Sequence, residues 1–130
     1  KLVQELSLEN HVYFAGMVSP IAPLLKMSTL AALPSLMEPL GMFQIESQYL
    51  QIPTIASDVD GIPETLIHEK TGLLVAPGDV DAWAQHMIWA LTNLELMQSW
   101  AKAGKNYVAD KFSMANNTKE LMNIINKIST

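Results

Sequence analysis

Cysteine is absent, so neither a disulfide framework nor thiolate chemistry is open to this chain. Cations are scarce: eight Lys and Arg stand against thirteen Asp and Glu, for a net charge of −5. A basic face for nucleic acid is therefore not to be expected, and an anionic membrane surface is an equally poor partner. No window approaches the roughly eighteen consecutive apolar residues of a spanning helix, and no transmembrane segment or signal-peptide pattern is read. His11, His68 and His86 stand alone, without a second ligand at metal spacing. Ser35 and Ser57 follow apolar runs, but neither sits in a G-x-S-x-G elbow, so a hydrolase triad has no support.

What is present is apolar. Hydrophobic residues make up 49% of the 130 and charged residues 16%, enough for a packed core and against disorder. The chain starts at Lys1 in a segment, KLVQELSLEN, that reads as the end of a helix. It is expected to be part of something longer.

Short apolar runs alternate with helical patterns. HVYFAG (11–16), TLAALP (29–34), IPTIAS (52–57) and TGLLVAP (71–77) read as strands, with Pro53 at a strand start where its missing N–H is tolerated. Helices are predicted over 20–28 and over 42–50, the latter with an apolar face at Met42, Ile45 and Tyr49. A short helix follows the DVDGIPE turn. Three more helices fill the remainder: one on Val80, Trp83, Ala84, Met87, Ile88 and Leu91, capped by Asp79 or Asp81. The next uses Met97, Trp100, Ala101, Gly104 and Val108, and the last Leu121, Ile124, Ile125 and Ile128. This alternation predicts an α/β fold: a Rossmann-like parallel sheet of about four strands with flanking helices. Such sheets bind ligands beyond the carboxyl ends of their strands.

The stretch EPLGMFQIE (38–46) follows the second predicted strand and holds Glu38 and Glu46 eight positions apart. If Gly41 and Met42 open a helix, the amides of Gly41, Met42 and Phe43 lack intrahelical acceptors, and with the helix dipole they suit a phosphate or diphosphate. Carboxylates on either side accept hydrogen bonds from hydroxyls. A nucleotide-activated sugar has that shape, with a diphosphate in the middle and polyols at both ends. Spacing alone favours two solvated surface charges over a site, since charged residues are usually exposed.

The segments FAGMV, LPSLMEPLGMFQIES, IPTIASDVDGIPE, TGLLVAPGD and FS (112–113) fall in the order and spacing of the family-4 (group 1) retaining glycosyltransferases. From about residue 8 to 113 the chain resembles the C-terminal, donor-binding half of their GT-B fold. The resemblance implies that residues 1–130 form one incomplete nucleotide-sugar-binding domain. Glu38 would contact hydroxyls of the transferred sugar and Glu46 the ribose of the nucleotide. The amides of Gly41, Met42 and Phe43 would lie at the sugar and diphosphate. Gly16, Met17 and Val18 would approach the base, mainly through backbone.

It further implies transfer from a nucleoside-diphosphate sugar with retention, no cofactor and no required metal, cytoplasmic action, and an acceptor bound by an N-terminal domain absent here. Membrane association, if any, would come through that missing half.

There are departures. Leu40 stands where an aromatic is usual, ESQYL (46–50) replaces EAMA, and Asp60 replaces a frequent glycine. The family's basic pair for the departing diphosphate has no counterpart, and Lys26 lies elsewhere. No catalytic residue is therefore assigned in this chain, which alone is expected to be inactive. A sugar-nucleotide epimerase of the same fold and a non-catalytic sugar-nucleotide-binding or scaffolding module are the alternatives. The DVD triplets at 58–60 and 79–81 recur in metal-dependent glycosyltransferases of another fold. The second sits at a helix start, where aspartates cap, and the first fails as a calcium loop because Ala56 and Ile67 occupy ligand positions. Gly61 and Glu64 are read as the start of the short helix, Glu64 as a cap.

Overall fold

The computed structural model describes residues 1–128. A parallel sheet of three strands lies at its centre, in the order β1 (Ala31–Leu33), β2 (Thr54–Ser57), β3 (Leu73–Val75). Each strand is short and apolar, as a sheet covered on both faces requires. Register fixes which side chains share a face: Ala32, Ile55 and Leu73 align across the sheet, and so do Leu33, Ala56 and Leu74.

The helices are α1 (Leu2–Glu5), α2 (Ala22–Lys26), α3 (Met42–Tyr49), α4 (Ile62–Thr65), α5 (Val80–Thr92), α6 (Leu94–Lys111) and α7 (Met114–Ile128). On one face Ile55, Leu73 and Val75 pack with Trp83 and Ala90 of α5 and Met97 of α6. On the other, Ala31 meets Leu25 of α2 and Phe43 of α3, while Ala56 meets Ile62 and Leu66 around α4. Trp89 and Trp100 stack with centroids 5.9 Å apart, tying α5 to α6. Asp79 caps α5, its Oδ1 accepting from the Ala82 N–H at 2.9 Å.

Several expectations are corrected. Residues 11–16 form no strand among the described residues; Tyr13 and Phe14 are 90% and 79% exposed there. β-Propensity does not hold a strand without a neighbouring ladder, and this segment has none. The sheet therefore has three strands rather than about four.

Helix α3 is also turned differently. Of its expected apolar face only Ile45 is buried; Met42 and Tyr49 are exposed, and Gln44, Ser47 and Gln48 take the interior positions. Their donors find acceptors there: Gln48 Nε2 donates to the Thr65 carbonyl beside α3 at 2.8 Å, and Ser47 Oγ donates back to the Phe43 carbonyl within the helix at 2.8 Å. In α5, Val80 and Ile88 are exposed, and burial centres on Trp83 and Ala90. The stripe Leu121, Ile124, Ile125 and Ile128 exists on α7, but these side chains are exposed. Helix α6 buries Met97, Ala101, Gly104 and Val108, with Trp100 half-buried, as its spacing predicts.

Candidate functional site

Two loops meet beyond the carboxyl ends of β1 and β2. The first, residues 34–41, ends at Gly41, whose φ of +80° lies in the region only glycine adopts readily. A Cβ at this position would also overlap the Gln44 carboxamide. That carboxamide turns back to donate from Nε2 to the Leu40 carbonyl at 2.7 Å and sits against Thr65 Oγ1 at 2.9 Å. Gly41, Met42 and Phe43 then open α3, and their N–H groups find no carbonyl acceptor in the helix.

The second loop, residues 58–61, is anchored where the Asp58 N–H donates to the Val75 carbonyl at 2.8 Å. It touches the first at Glu38. Asp60 Oδ2 accepts from the Glu38 N–H at 2.9 Å, and the Gly61 N–H approaches the Glu38 carbonyl at 3.4 Å. Gly61 has no room for a side chain, because a Cβ would fall on the Pro39 carbonyl oxygen. Gly61 then starts α4 with Pro63 in its first turn, as read from the sequence, but Glu64 makes no side-chain cap there. Its carbonyl instead receives Tyr107 Oη at 2.8 Å and Lys111 Nζ at 2.7 Å, which fix α4 against α6.

Along α3, the helix that the first loop leads into, lies a cleft of about 910 Å³ between the 18–22 segment, α3 and the end of α6. Val18, Pro20, Tyr49, Val108 and Phe112 give it apolar walls, and Glu46 is its one carboxylate. A mostly apolar slot with one carboxylate and the hydroxyls of Ser19, Tyr49 and Ser113 at its walls suits a flat, partly polar ligand. Of the residues singled out from the sequence, Glu46 and Val18 line this cleft. Gly16 and Met17, next to Val18 in the chain, are exposed and do not line it, and Gly16 has φ +68°. Glu38, half-buried, and Gly41, Met42 and Phe43 belong to the neighbouring loop and helix start.

Sequence reasoning missed Tyr49 and Ala109 as cleft-lining residues, and assigned no part to Phe112 and Ser113 beyond noting the FS dipeptide. The available signal was position: all four lie within one turn of the C-terminal end of α3 or α6. It missed Gln44 as well, because a glutamine inside a helix reads as exposed. Two histidines serve the backbone: His68 Nδ1 accepts from the Leu74 N–H at 3.0 Å, and His86 Nδ1 lies 2.7 Å from the Ala82 carbonyl. No described helix is long and apolar enough to cross a membrane.

The family model for "Glycosyl transferases group 1" matches residues 1–107. The chain is 34% identical over 112 residues to N-acetyl-alpha-D-glucosaminyl L-malate synthase of Bacillus anthracis, covering 86% of this chain and 29% of that enzyme. Its structure resembles sucrose-phosphate synthase of Thermosynechococcus elongatus at 30% identity, with a TM-score of 0.87 over 98% of this chain and 32% of the other. HepE of Anabaena, solved with UDP, shares the fold at 22% identity and a TM-score of 0.89, over 96% of this chain and 35% of its own. The chain thus spans about a third of the proteins it matches.

Proposed function

Because the chain belongs to the group 1 glycosyl transferases, a family whose structurally similar members have the GT-B fold, we propose that it is the donor-binding part of a retaining enzyme. It would hold a nucleoside-diphosphate sugar for transfer to an acceptor bound by a further domain. Support for this reading comes from one juxtaposition: the single carboxylate of an apolar cleft, Glu46, lies one helical turn from the acceptor-free amides that open α3. That juxtaposition pairs an acceptor for ribose hydroxyls with an anion site for the diphosphate.

On this reading the Gly16–Val18 backbone and the cleft walls take the base, Glu46 the ribose, and the amides of Gly41, Met42 and Phe43 the diphosphate. Glu38 accepts hydrogen bonds from the sugar. The dipole of α3 stabilises the charge that develops on the departing diphosphate as the anomeric centre becomes cationic. Positioning supplies the remainder. No cofactor and no metal is invoked. A UDP complex of a neighbour with the same fold makes a uridine nucleotide a suitable first probe.

Calorimetry with UDP tests the assignment. The chain binds it, and Glu46→Ala weakens binding by about tenfold, the loss of hydrogen bonds to a charged acceptor. Equal affinity in the variant removes Glu46 from the nucleotide site. Sugar-transfer assays of these residues alone give no turnover above background, and clear turnover would overturn the partial-site reading.

A further inference from the structure

The segment 38–41 is held at three consecutive residues, two of them by groups far away in sequence and the third by the first turn of α3. At Glu38, the backbone N–H donates to Asp60 Oδ2 at 2.9 Å across 22 positions, and the carbonyl faces the Gly61 N–H at 3.4 Å. At Pro39, the carbonyl rests on Gly61 so closely that no Cβ fits. At Leu40, the carbonyl is bonded by Gln44 Nε2 at 2.7 Å. Asp60 itself has φ +47°, a left-handed conformation that costs a side-chain-bearing residue energy, although Asp tolerates it better than most. Glycine at position 60 would adopt this turn without strain but could not make the bond to Glu38.

We propose that Asp60 is a positioning residue for the sugar half of the donor, acting through its Oδ2 bond to the Glu38 N–H. The inference rests on the donor-binding reading given above. Glu38 is on a loop, and a loop carboxylate aimed at a neutral sugar is useful only if its backbone is fixed before the sugar arrives. The bond from Asp60 supplies that fixation from the adjacent loop. The Glu38 N–H is thereby paired within the protein and takes no part in holding the donor. The amides of Gly41, Met42 and Phe43 are then left as the anion site, and the Glu38 carboxylate is left to the sugar hydroxyls. Asp60 touches neither the nucleotide cleft nor Glu46, so its effect is confined to the sugar.

The test compares UDP with UDP-glucose on the chain and on Asp60→Ala and Asp60→Asn, with amide hydrogen exchange at Glu38 followed in parallel. Asp60→Ala is expected to weaken UDP-glucose by about tenfold while changing UDP by less than about twofold. Asp60→Asn keeps an oxygen acceptor and a tolerance for left-handed φ, and recovers most of the loss. Exchange at the Glu38 amide quickens in the alanine variant and stays near the parent rate in the asparagine variant. Equal weakening of UDP and UDP-glucose, or unchanged exchange at Glu38 in the alanine variant, overturns the inference while leaving the nucleotide site intact. No UDP binding by the parent chain overturns the donor reading and this inference with it.

Discussion

Gln44 Nε2 lies 2.9 Å from Thr65 Oγ1 in the protein interior, joining the first turn of α3 to the last residue of α4. Thr65 in turn donates to the Ile62 carbonyl at 2.8 Å, and Gln48 reaches the Thr65 carbonyl one turn further along. The two loops of the site are thus fastened from behind by a buried polar ladder, with the Gln44 and Gln48 Oε1 atoms its only ends without a partner.

Truncating that ladder is costly. Gln44→Ala removes two hydrogen bonds, leaves the Leu40 carbonyl unpaired and opens space beneath Gly41. We expect a loss of about 2–4 kcal/mol in urea-induced unfolding. A loss under about 0.5 kcal/mol would show that water replaces the carboxamide without penalty.

The packing of α3 on α6 depends on Gly104. A Cβ there would lie 2.8 Å from Gln48 Oε1 and 3.2 Å from the Thr71 carbonyl oxygen. Gly104→Ala gains about 1 kcal/mol of helix propensity but forces a well-packed contact apart, at about 1–3 kcal/mol. Gln48 is held by two bonds and cannot simply swing away, so the contact term wins. The variant unfolds at lower urea than the parent; a rise in midpoint would contradict the packing described.

At the start of α5, Asp79→Ala removes the acceptor for the Ala82 N–H and costs about 1 kcal/mol, while Asp79→Asn costs less than half as much. Thermal unfolding followed by circular dichroism separates the two. Nucleotide affinity stays unchanged in both, since Asp79 does not line the cleft.

The cleft can be closed without touching Glu46. Ala109 is exposed on α6 and lines it, so Ala109→Trp places a ring where the ligand should lie. UDP affinity should fall by about tenfold or more with stability nearly unchanged. Unchanged affinity would put the nucleotide elsewhere.

What the sequence determined by itself is local. Three apolar runs ended by proline or a turn became β1, β2 and β3, because a buried strand needs little more than continuous apolar residues and a stop. Gly41 before Met42 marked the start of α3, and an aspartate cap at 79 or 81 marked α5, since caps and left-handed turns are read from one or two residues; the structure makes Asp79 the cap. The position of Glu38 and Glu46 relative to a strand end and a helix start followed from the same signals. Tertiary structure decided the rest. HVYFAG has the residues of a strand, but a strand needs a neighbour, and sequence pattern does not show whether one is adjacent. Gln44, Ser47 and Gln48 turned inward because Leu40, Thr65 and Phe43 offered them bonds that hydropathy does not register. For Glu38 and Glu46, the sequence gives their separation along the chain. Only the fold puts Glu46 in an apolar cleft and fastens Glu38 to Asp60, a contact across 22 residues that no local pattern encodes.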